Sequence, residues 1–173
     1  MGEDESTGTG ASPVHVVACG VERAEDVHRL TQAAFGPYGG LEPPSGAVVE
    51  SVERVVADLA AGGGAVAERD GVAVGCLRWR PRVDGDIYVA RVAVDPGEQR
   101  SGIGRVLIAW AEGEARRQGC PGVTVGVRIA LPANLAYFRR LGFEVTGEHS
   151  HEGFDEPTWL SLRKEVGTEA PGA

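Results

Sequence analysis

The sequence has few cysteines, and they form no recognisable pair. Three cysteines occur among 173 residues, at positions 19, 76 and 120, without a Cys-x-x-Cys motif. An odd number at such wide spacing provides neither a disulfide framework nor the ligand spacing of a zinc site. We therefore expect a reducing compartment and no metal centre.

Long apolar runs and an excess of basic residues are also missing. The chain begins with the acidic segment Met1-Gly2-Glu3-Asp4-Glu5, and no stretch approaches about 18 apolar residues, so neither a signal peptide nor a membrane span is predicted. Lys and Arg number 17 against 25 Asp and Glu, giving a net charge of −8. Such a charge disfavours binding to the phosphate backbone of nucleic acid. We expect a soluble cytoplasmic protein without nucleic-acid or membrane partners.

What remains is the composition of one globular domain. Hydrophobic residues make up 42% of the chain and charged residues 24%, and the 26 glycines follow no three-residue repeat. Residues 1–13 and 167–173 are rich in Gly, Ser, Thr and acidic residues, which predicts disordered tails at both ends. The predicted domain therefore covers residues 14–166.

Hydrophobic periodicity predicts an α/β fold in the order β-α-α-β-β-β-α-β-α-β-β. Gly62, Gly63 and Gly64 are predicted to end the second helix. Strands are predicted at 14–18, 65–68, 72–79, 87–94, 123–127, 143–148 and 159–163, and helices at 21–35, 51–61, 103–118 and 133–141. The inward face of the third helix is predicted to comprise Ile103, Val106, Leu107, Trp110 and Ala111.

The segment from Val89 to Arg105 combines a strand, a turn, a Gly-x-Gly sequence and a helix start. The first N–H groups of a helix lack intrahelical acceptors and lie at the positive end of its dipole, so an anion is stabilised there. Gly102 and Gly104 allow close approach to the backbone, and Arg100 adds positive charge. The segment predicts a diphosphate site, or else only a tight strand-to-helix turn.

Two well-known phosphate loops do not match this segment. A P-loop requires Gly-Lys-Ser/Thr, whereas Gly104 is followed by Arg105-Val106. A dinucleotide-binding fingerprint requires a third glycine at the position of Leu107.

The segment instead resembles the acetyl-CoA motif Gln/Arg-x-x-Gly-x-Gly/Ala of the GCN5-related N-acetyltransferase (GNAT) superfamily. That motif reads Gln99-Arg100-Ser101-Gly102-Ile103-Gly104 here, after a strand that ends at Val94-Asp95-Pro96. A second segment, Phe138-Arg139-Arg140-Leu141-Gly142-Phe143, is similar to the family's Tyr-x-x-x-Gly-Phe sequence. The order of elements agrees over residues 14–164.

The resemblance implies a mixed, mostly antiparallel sheet flanked by about four helices, with a splayed central strand pair. Acetyl-CoA would be the acyl donor, and a primary amine, in a small molecule or a peptide, would attack the thioester directly. A homodimer formed through sheet edges is compatible with this family. The residues that the resemblance assigns to the cofactor are Val92, Ala93, Val94, Gln99, Arg100, Ser101, Gly102, Ile103, Gly104, Arg105, Asn134 and Phe138.

The catalytic positions depart from the family's pattern. The family's acid is the Tyr at the position of Phe138, which has no proton to give. Its neighbour Tyr137 is the candidate acid, and Tyr38 and Glu42, in a Pro/Gly-rich loop, are candidates for acceptor binding. Because the acid is replaced, a non-catalytic acyl-CoA-binding module is an alternative, and an acyltransferase for a different acyl chain is another.

The cluster His149, His151, Glu152 and Asp155 lies between the last two predicted strands. No His-x-x-x-His helix or cysteine accompanies it, so we interpret it as a solvated loop near the acceptor rather than a metal site.

Overall fold

A computed structural model describes residues 10–167 of the chain. Its helices and strands are β1 (His15–Cys19), α1 (Ala24–Phe35), α2 (Val52–Ala61), β2 (Gly63–Arg69), β3 (Val72–Pro81), β4 (Ile87–Val94), α3 (Ile103–Arg117), β5 (Gly122–Arg128), α4 (Pro132–Arg140), β6 (Glu144–His149) and β7 (Trp159–Glu165). The predicted order is confirmed. Residues 10–13 form no helix or strand, and the other predicted tail residues, 1–9 and 168–173, lie outside the described residues. Every helix in the described part is too short or too polar to cross a membrane.

All seven strands join one sheet in the order β1-β2-β3-β4-β5-β7-β6. Within residues 10–167 only the β4–β5 pair is parallel, so the sheet is mixed and mostly antiparallel, as the resemblance implied. Alternate residues of the strands supply two cores. Ala65 and Ala67 of β2 face the core formed with α3, while Val66 faces the core formed with α1 and α2. Helices therefore cover both faces of the sheet.

The inward face of α3 differs from the prediction at two positions. Val106 is 43% exposed, whereas Ile108 is buried together with Leu107 and Ala111. Both residues flank the same stripe, because successive residues are about 100° apart around a helix. Packing against the sheet buries Ile108 and leaves Val106 exposed. The periodicity of apolar residues does not show which of the two sides of the stripe is buried.

The three glycines after α2 also behave differently from the prediction. Only Gly62 lies between α2 and β2, and its N–H donates to the carbonyl of Asp58 at 3.2 Å. Gly63 and Gly64 belong to β2. A Cβ at Gly63 would lie 2.9 Å from the indole nitrogen of Trp79, so this glycine makes room for a neighbouring side chain.

A buried aspartate joins the start of β4 to β5 and β7. Asp86 is 3% exposed and accepts two bonds from the Arg163 guanidinium, at 2.6 and 3.1 Å. The hydroxyl of Thr124 in β5 lies 3.3 Å from the same carboxylate. Gly122 makes room for the guanidinium, since a Cβ there would lie 2.5 Å from an Arg163 nitrogen. A bidentate pair of this kind is among the stronger polar contacts in proteins.

We predict that Asp86→Ala lowers the free energy of unfolding by about 2–3 kcal/mol, because it leaves the Arg163 guanidinium without its carboxylate. The value lies at the low end for a buried pair since 34% of the Arg163 side chain is exposed. Urea denaturation followed by circular dichroism measures it. Asp84→Ala, in the exposed turn just before, is the control and should barely move the midpoint. Equal effects of the two substitutions would contradict the stabilising role of the Asp86–Arg163 pair.

Candidate active site

Strands β4 and β5 are paired only at their first residues. The parallel register runs from Ile87 opposite Val123 to Val89 opposite Val125 and then stops. Both strands continue, β4 to Val94 and β5 to Arg128. Backbone N–H and C=O groups along these separated edges lack sheet partners and are available to a ligand. The splayed central strand pair is thus confirmed.

A β-bulge turns β4 away from β5. On the β3 side, Ala93 lies opposite Cys76 and Ala90 opposite Arg78, so two residues of β4, Arg91 and Val92, face one residue of β3. Arg91 has a φ of 54°, in the left-handed region. A residue other than glycine costs roughly 1–2 kcal/mol in that conformation, so the surrounding structure must hold it there. Bulges bend a strand and often lie beside functional sites.

A cleft of about 580 Å³ lies between the separated strands. Its walls come from five parts of the chain: residues 88–92 of β4, 125–128 of β5, the loop at 43–46, Asn134 and Phe138 of α4, and His151 and Glu152 between β6 and β7. Phe35, Leu131 and Trp159 complete the lining. Three of the residues predicted to contact the cofactor, Val92, Asn134 and Phe138, therefore line this cleft.

The turn after β4 is fixed by its own side chains. The Asp95 carboxylate accepts a bond from the N–H of Gly97 at 2.9 Å, and Ser101 Oγ donates to the carbonyl of Glu98. The Glu98 carboxylate is held by Arg69 at 2.7 Å. These contacts fix the turn from which the predicted anion-binding segment, residues 99–105, continues.

Helix α3 begins on left-handed backbone. Arg100 has a φ of 67° and Gly102, the N-cap residue, a φ of 83°. The first helical bond joins the N–H of Val106 to the carbonyl of Gly102 at 3.1 Å, so the amides of residues 102–105 have no intrahelical acceptor. The predicted cofactor residues Gln99, Ser101 and Arg105 are exposed beside them. Free amides, the helix dipole and two arginines are the features that favour an anion, and the binding of a pyrophosphate here stays a prediction.

Tyr137 lies against this helix start. A Cβ at Gly104 would be 2.9 Å from the Tyr137 hydroxyl oxygen, so the missing Cβ accommodates that hydroxyl. Burial raises the pKa of Tyr137, while the nearby Arg105 and Arg140 act in the opposite direction. Tyr137 is not among the residues that line the cleft. Its predicted role as the acid stays a prediction.

Phe138 presents an apolar ring to the cleft at the position of the family's tyrosine. The ring packs edge-on against Phe143, with centroids 5.5 Å apart, and Phe143 belongs to the core. No proton is available from this side chain.

The two predicted acceptor-binding residues do not line the cleft. Tyr38 packs edge-on against Phe35 at 6.0 Å, and Glu42 precedes the part of the loop that forms the wall, residues 43–46. The loop itself borders the cleft as expected. Roles for Tyr38 and Glu42 in acceptor binding stay predictions.

The sequence did not predict Tyr88 as a site residue. Its side chain reaches across the cleft. A Cβ at Gly126 in β5 would lie 2.8 Å from the Tyr88 hydroxyl oxygen, so the phenol of β4 extends over the opposite strand. The guanidinium of Arg80 lies 4.9 Å from the ring centroid. A glycine inside a strand often marks such a close approach, and Gly126 was the available signal.

His151 lies in the loop that was predicted to be near the acceptor, and it lines the cleft. Its Nδ1 is 2.5 Å from Thr158 Oγ1, which also accepts a bond from the His151 backbone N–H at 3.0 Å. Burial, and secondly the charge of Arg128, lower the pKa of His151 below its usual value. The imidazole is therefore neutral at neutral pH.

We predict that Gly104→Ala lowers the free energy of unfolding by about 1 kcal/mol, because its methyl group collides with the Tyr137 hydroxyl. Adding Tyr137→Phe should restore most of this loss, since the next atom of the ring lies 3.8 Å from the new Cβ. Chemical denaturation measures both.

Gly113→Ala in the same helix is the matched control. Its Cβ meets only the end of the Arg117 side chain, at 3.3 Å, so it should be neutral or stabilising. If Gly104→Ala and Gly113→Ala change the free energy of unfolding equally, the close approach of the Tyr137 hydroxyl to Gly104 is contradicted.

The curated proteins that the sequence matches include two that are named as acetyltransferases. The chain is 36% identical over 86 residues to the Danio rerio protein named "Probable N-acetyltransferase 14", covering 48% of this chain and 30% of that protein. It is 33% identical over 102 residues to the L-methionine sulfoximine/L-methionine sulfone acetyltransferase of Salmonella typhimurium, covering 56% of this chain and 59% of that protein. The chain therefore spans less than two thirds of either relative.

Solved structures with the same fold cover nearly the whole chain. The ribosomal-protein-S18-alanine N-acetyltransferase of Escherichia coli matches with a TM-score of 0.72 and 16% identity, over 93% of this chain and 99% of that one. The PaiA N-acetyltransferase of Thermoplasma acidophilum, solved with coenzyme A, has a TM-score of 0.72 and 14% identity, over 88% and 99%. The family model of the acetyltransferase (GNAT) family matches residues 26–143. The chain belongs to the acetyltransferase (GNAT) family.

Proposed function

We propose that this protein is an acetyl-CoA-dependent N-acetyltransferase that moves the acetyl group to a primary amine by direct attack. The observation that carries this proposal is the separation of β4 from β5, which opens a cleft on the same strand that leads to the anion site at α3. The donor, acetyl-CoA, has a pyrophosphate that matches the anion site at α3. Its arm carries amides and ends in a thioester, which matches the cleft along β4. Membership of the GNAT family supports the same reaction.

The donor would be bound mainly by backbone groups. The unpaired edge of β4 at Val92, Ala93 and Val94 would bond to the pantetheine amides, and the amides of residues 99–105 would hold the pyrophosphate. Asn134 and Phe138 would contact the arm within the cleft. Acetyl-CoA supplies the activated acyl carbon, and the protein's part is to position it against the amine.

The acceptor must lose a proton before it can attack. An amine of pKa near 10.4 is only about one part in 10³ neutral at pH 7, which corresponds to roughly 4.6 kcal/mol. We propose His151 as the group that takes this proton, since its imidazole is neutral at neutral pH and lines the cleft. With Nδ1–H donating to Thr158, Nε2 presents a lone pair directly or through one water.

The steps then balance without a further reactant. His151 passes the first proton, taken from the ammonium group, to solvent and is neutral again. The amine nitrogen then bonds to the thioester carbon, its second proton passes to His151, and the C–S bond breaks. The departing thiolate is protonated by the Tyr88 hydroxyl, which lies over Gly126 in the cleft, or by solvent. Tyr88 is thus our proposed substitute for the acid that Phe138 does not provide. Proton exchange with water returns His151 and the acid to their starting states.

Calorimetry with acetyl-CoA, followed by an assay of CoA release against a panel of amines, tests the proposal. Micromolar binding and amine-dependent release are expected, and the absence of binding at millimolar acetyl-CoA would refute the proposal. Binding without release would favour the non-catalytic acyl-CoA-binding module. Faster release from a longer acyl-CoA would favour the acyltransferase for a different chain.

We predict that His151→Gln lowers kcat about 10²-fold, the lower end of what a general base contributes. Because the neutral imidazole is the active form, wild-type activity should fall as the pH drops through the depressed pKa of His151, below about 6.5. This acid limb should disappear in the variant. His149→Gln is the control, since His149 stacks on Trp159 but does not line the cleft. An unchanged pH profile in His151→Gln would remove His151 from the mechanism.

A cytoplasmic location and a homodimer complete the proposal. Cys19, Cys76 and Cys120 are all free thiols, which suits a reducing compartment. Strands β1 and β6 form the two edges of the sheet, and an edge strand offers backbone groups to a second copy. The acidic composition supports the absence of a nucleic-acid partner.

A further inference from the structure

Three guanidinium groups on the wall of a second cavity, one of which also lines the cleft, share two carboxylates among the described residues. Arg78, 2% exposed, lies 2.7 Å from one oxygen of Glu50 and 2.9 Å from one oxygen of Asp58. Arg54 lies 3.0 Å from the other oxygen of Asp58. Arg91 reaches the remaining oxygen of Glu50 with Nε, at 3.4 Å. Arg91 is thus the most weakly neutralised of the three cations.

Arg91 is placed between two cavities. It lines the cleft of about 580 Å³ and also a second cavity of about 540 Å³, and Tyr88 and Ala90 are likewise common to both. Its terminal nitrogens Nη1 and Nη2 have no hydrogen-bond acceptor among residues 10–167. The guanidinium carbon lies 6.0 Å from the Phe35 ring centroid, over the face of that ring.

A second guanidinium lines the cleft from β5. Arg128 Nη2 donates to the carbonyl of Pro43 at 2.5 Å, while its Nε is buried without a partner. In the described part of the chain, no carboxylate lies within ion-pair distance of Arg128. The one carboxylate on the wall of the cleft belongs to Glu152, which is exposed in the loop after β6. The cleft therefore has an excess of positive charge in a protein whose net charge is −8.

We propose that the acceptor is a primary amine that carries a carboxylate, as an amino acid does, and that Arg91 and Arg128 bind this carboxylate. The proposal rests on the proposed acetyltransferase function and names its substrate class. Planar guanidinium groups with unused donors match a carboxylate in geometry and charge. A polyamine would instead bring like charges together in the cleft. An analogue without the carboxylate would leave the guanidinium donors unpaired and lose about tenfold or more in kcat/KM.

The first experiment compares acceptors that differ only in the carboxylate. CoA release from acetyl-CoA is measured with L-methionine and 3-(methylthio)propylamine, with L-phenylalanine and phenethylamine, and with spermidine. We expect kcat/KM to be about tenfold or more higher for each amino acid than for its decarboxylated partner, and lowest for spermidine.

The second experiment removes the charge from the protein. Arg91→Met should raise KM for the amino acid about tenfold or more while changing kcat little, because ground-state binding is lost. Values of kcat/KM for the decarboxylated amine should stay within about twofold. Arg128→Met should act in the same direction. Arg139→Met is the matched control, because Arg139 is exposed on α4 and has no ion pair among the described residues. It should change kcat and KM for neither acceptor.

The outcomes separate the two proposals. Equal or better turnover of decarboxylated amines or spermidine refutes the carboxylate-bearing acceptor and leaves the acetyltransferase function intact. Equal losses for both substrates in Arg91→Met also refute it, since the side chain would then serve the fold. If acetyl-CoA binds and no amine releases CoA, the acetyltransferase function itself fails, and the acceptor proposal fails with it.

Discussion

The short pairing of β4 with β5 is the constraint on which the rest of the molecule depends. Three residue pairs hold the two strands together, and the buried Asp86–Arg163 contact ties that end of the sheet to β7. Beyond this point the bulge at Arg91 and Val92 turns β4 aside. The backbone itself therefore forms a wedge with one fixed end, and a site preorganised in this way lowers the cost of binding.

Strand β4 connects the parts of the proposed reaction. Its first residues, Tyr88 among them, pair with β5 at the closed end of the wedge, and its middle carries Arg91. Its last residues lead to the helix start where the proposed anion site lies. Local charge matters more here than total charge. An acidic protein can hold an anionic donor and an anionic acceptor because individual guanidiniums and backbone amides act over a few ångströms, within the roughly 8–10 Å screening length of a salt solution.

Local pattern predicted the elements better than it predicted their contacts. The bounds of β4 and the glycine loop before α3 were read from turn residues and periodicity, because these depend on neighbours in sequence. Whether Val106 or Ile108 faces inward depends on the sheet beneath α3, which no window of sequence contains. Tyr88 and His151 line the same cleft although they are far apart in the sequence. Only the folded chain brings them to one site.

Trp159 gives the cleft a property of a different kind. Its indole ring lines the wall and stacks on His149, with centroids 4.1 Å apart and an angle of 22° between the rings. The other two tryptophans, Trp79 and Trp110, do not line this cleft. The emission of one of the three indoles should therefore depend on the polarity and water content of the cleft. Binding of the proposed donor or acceptor there is expected to change this emission, so association could be followed without a label.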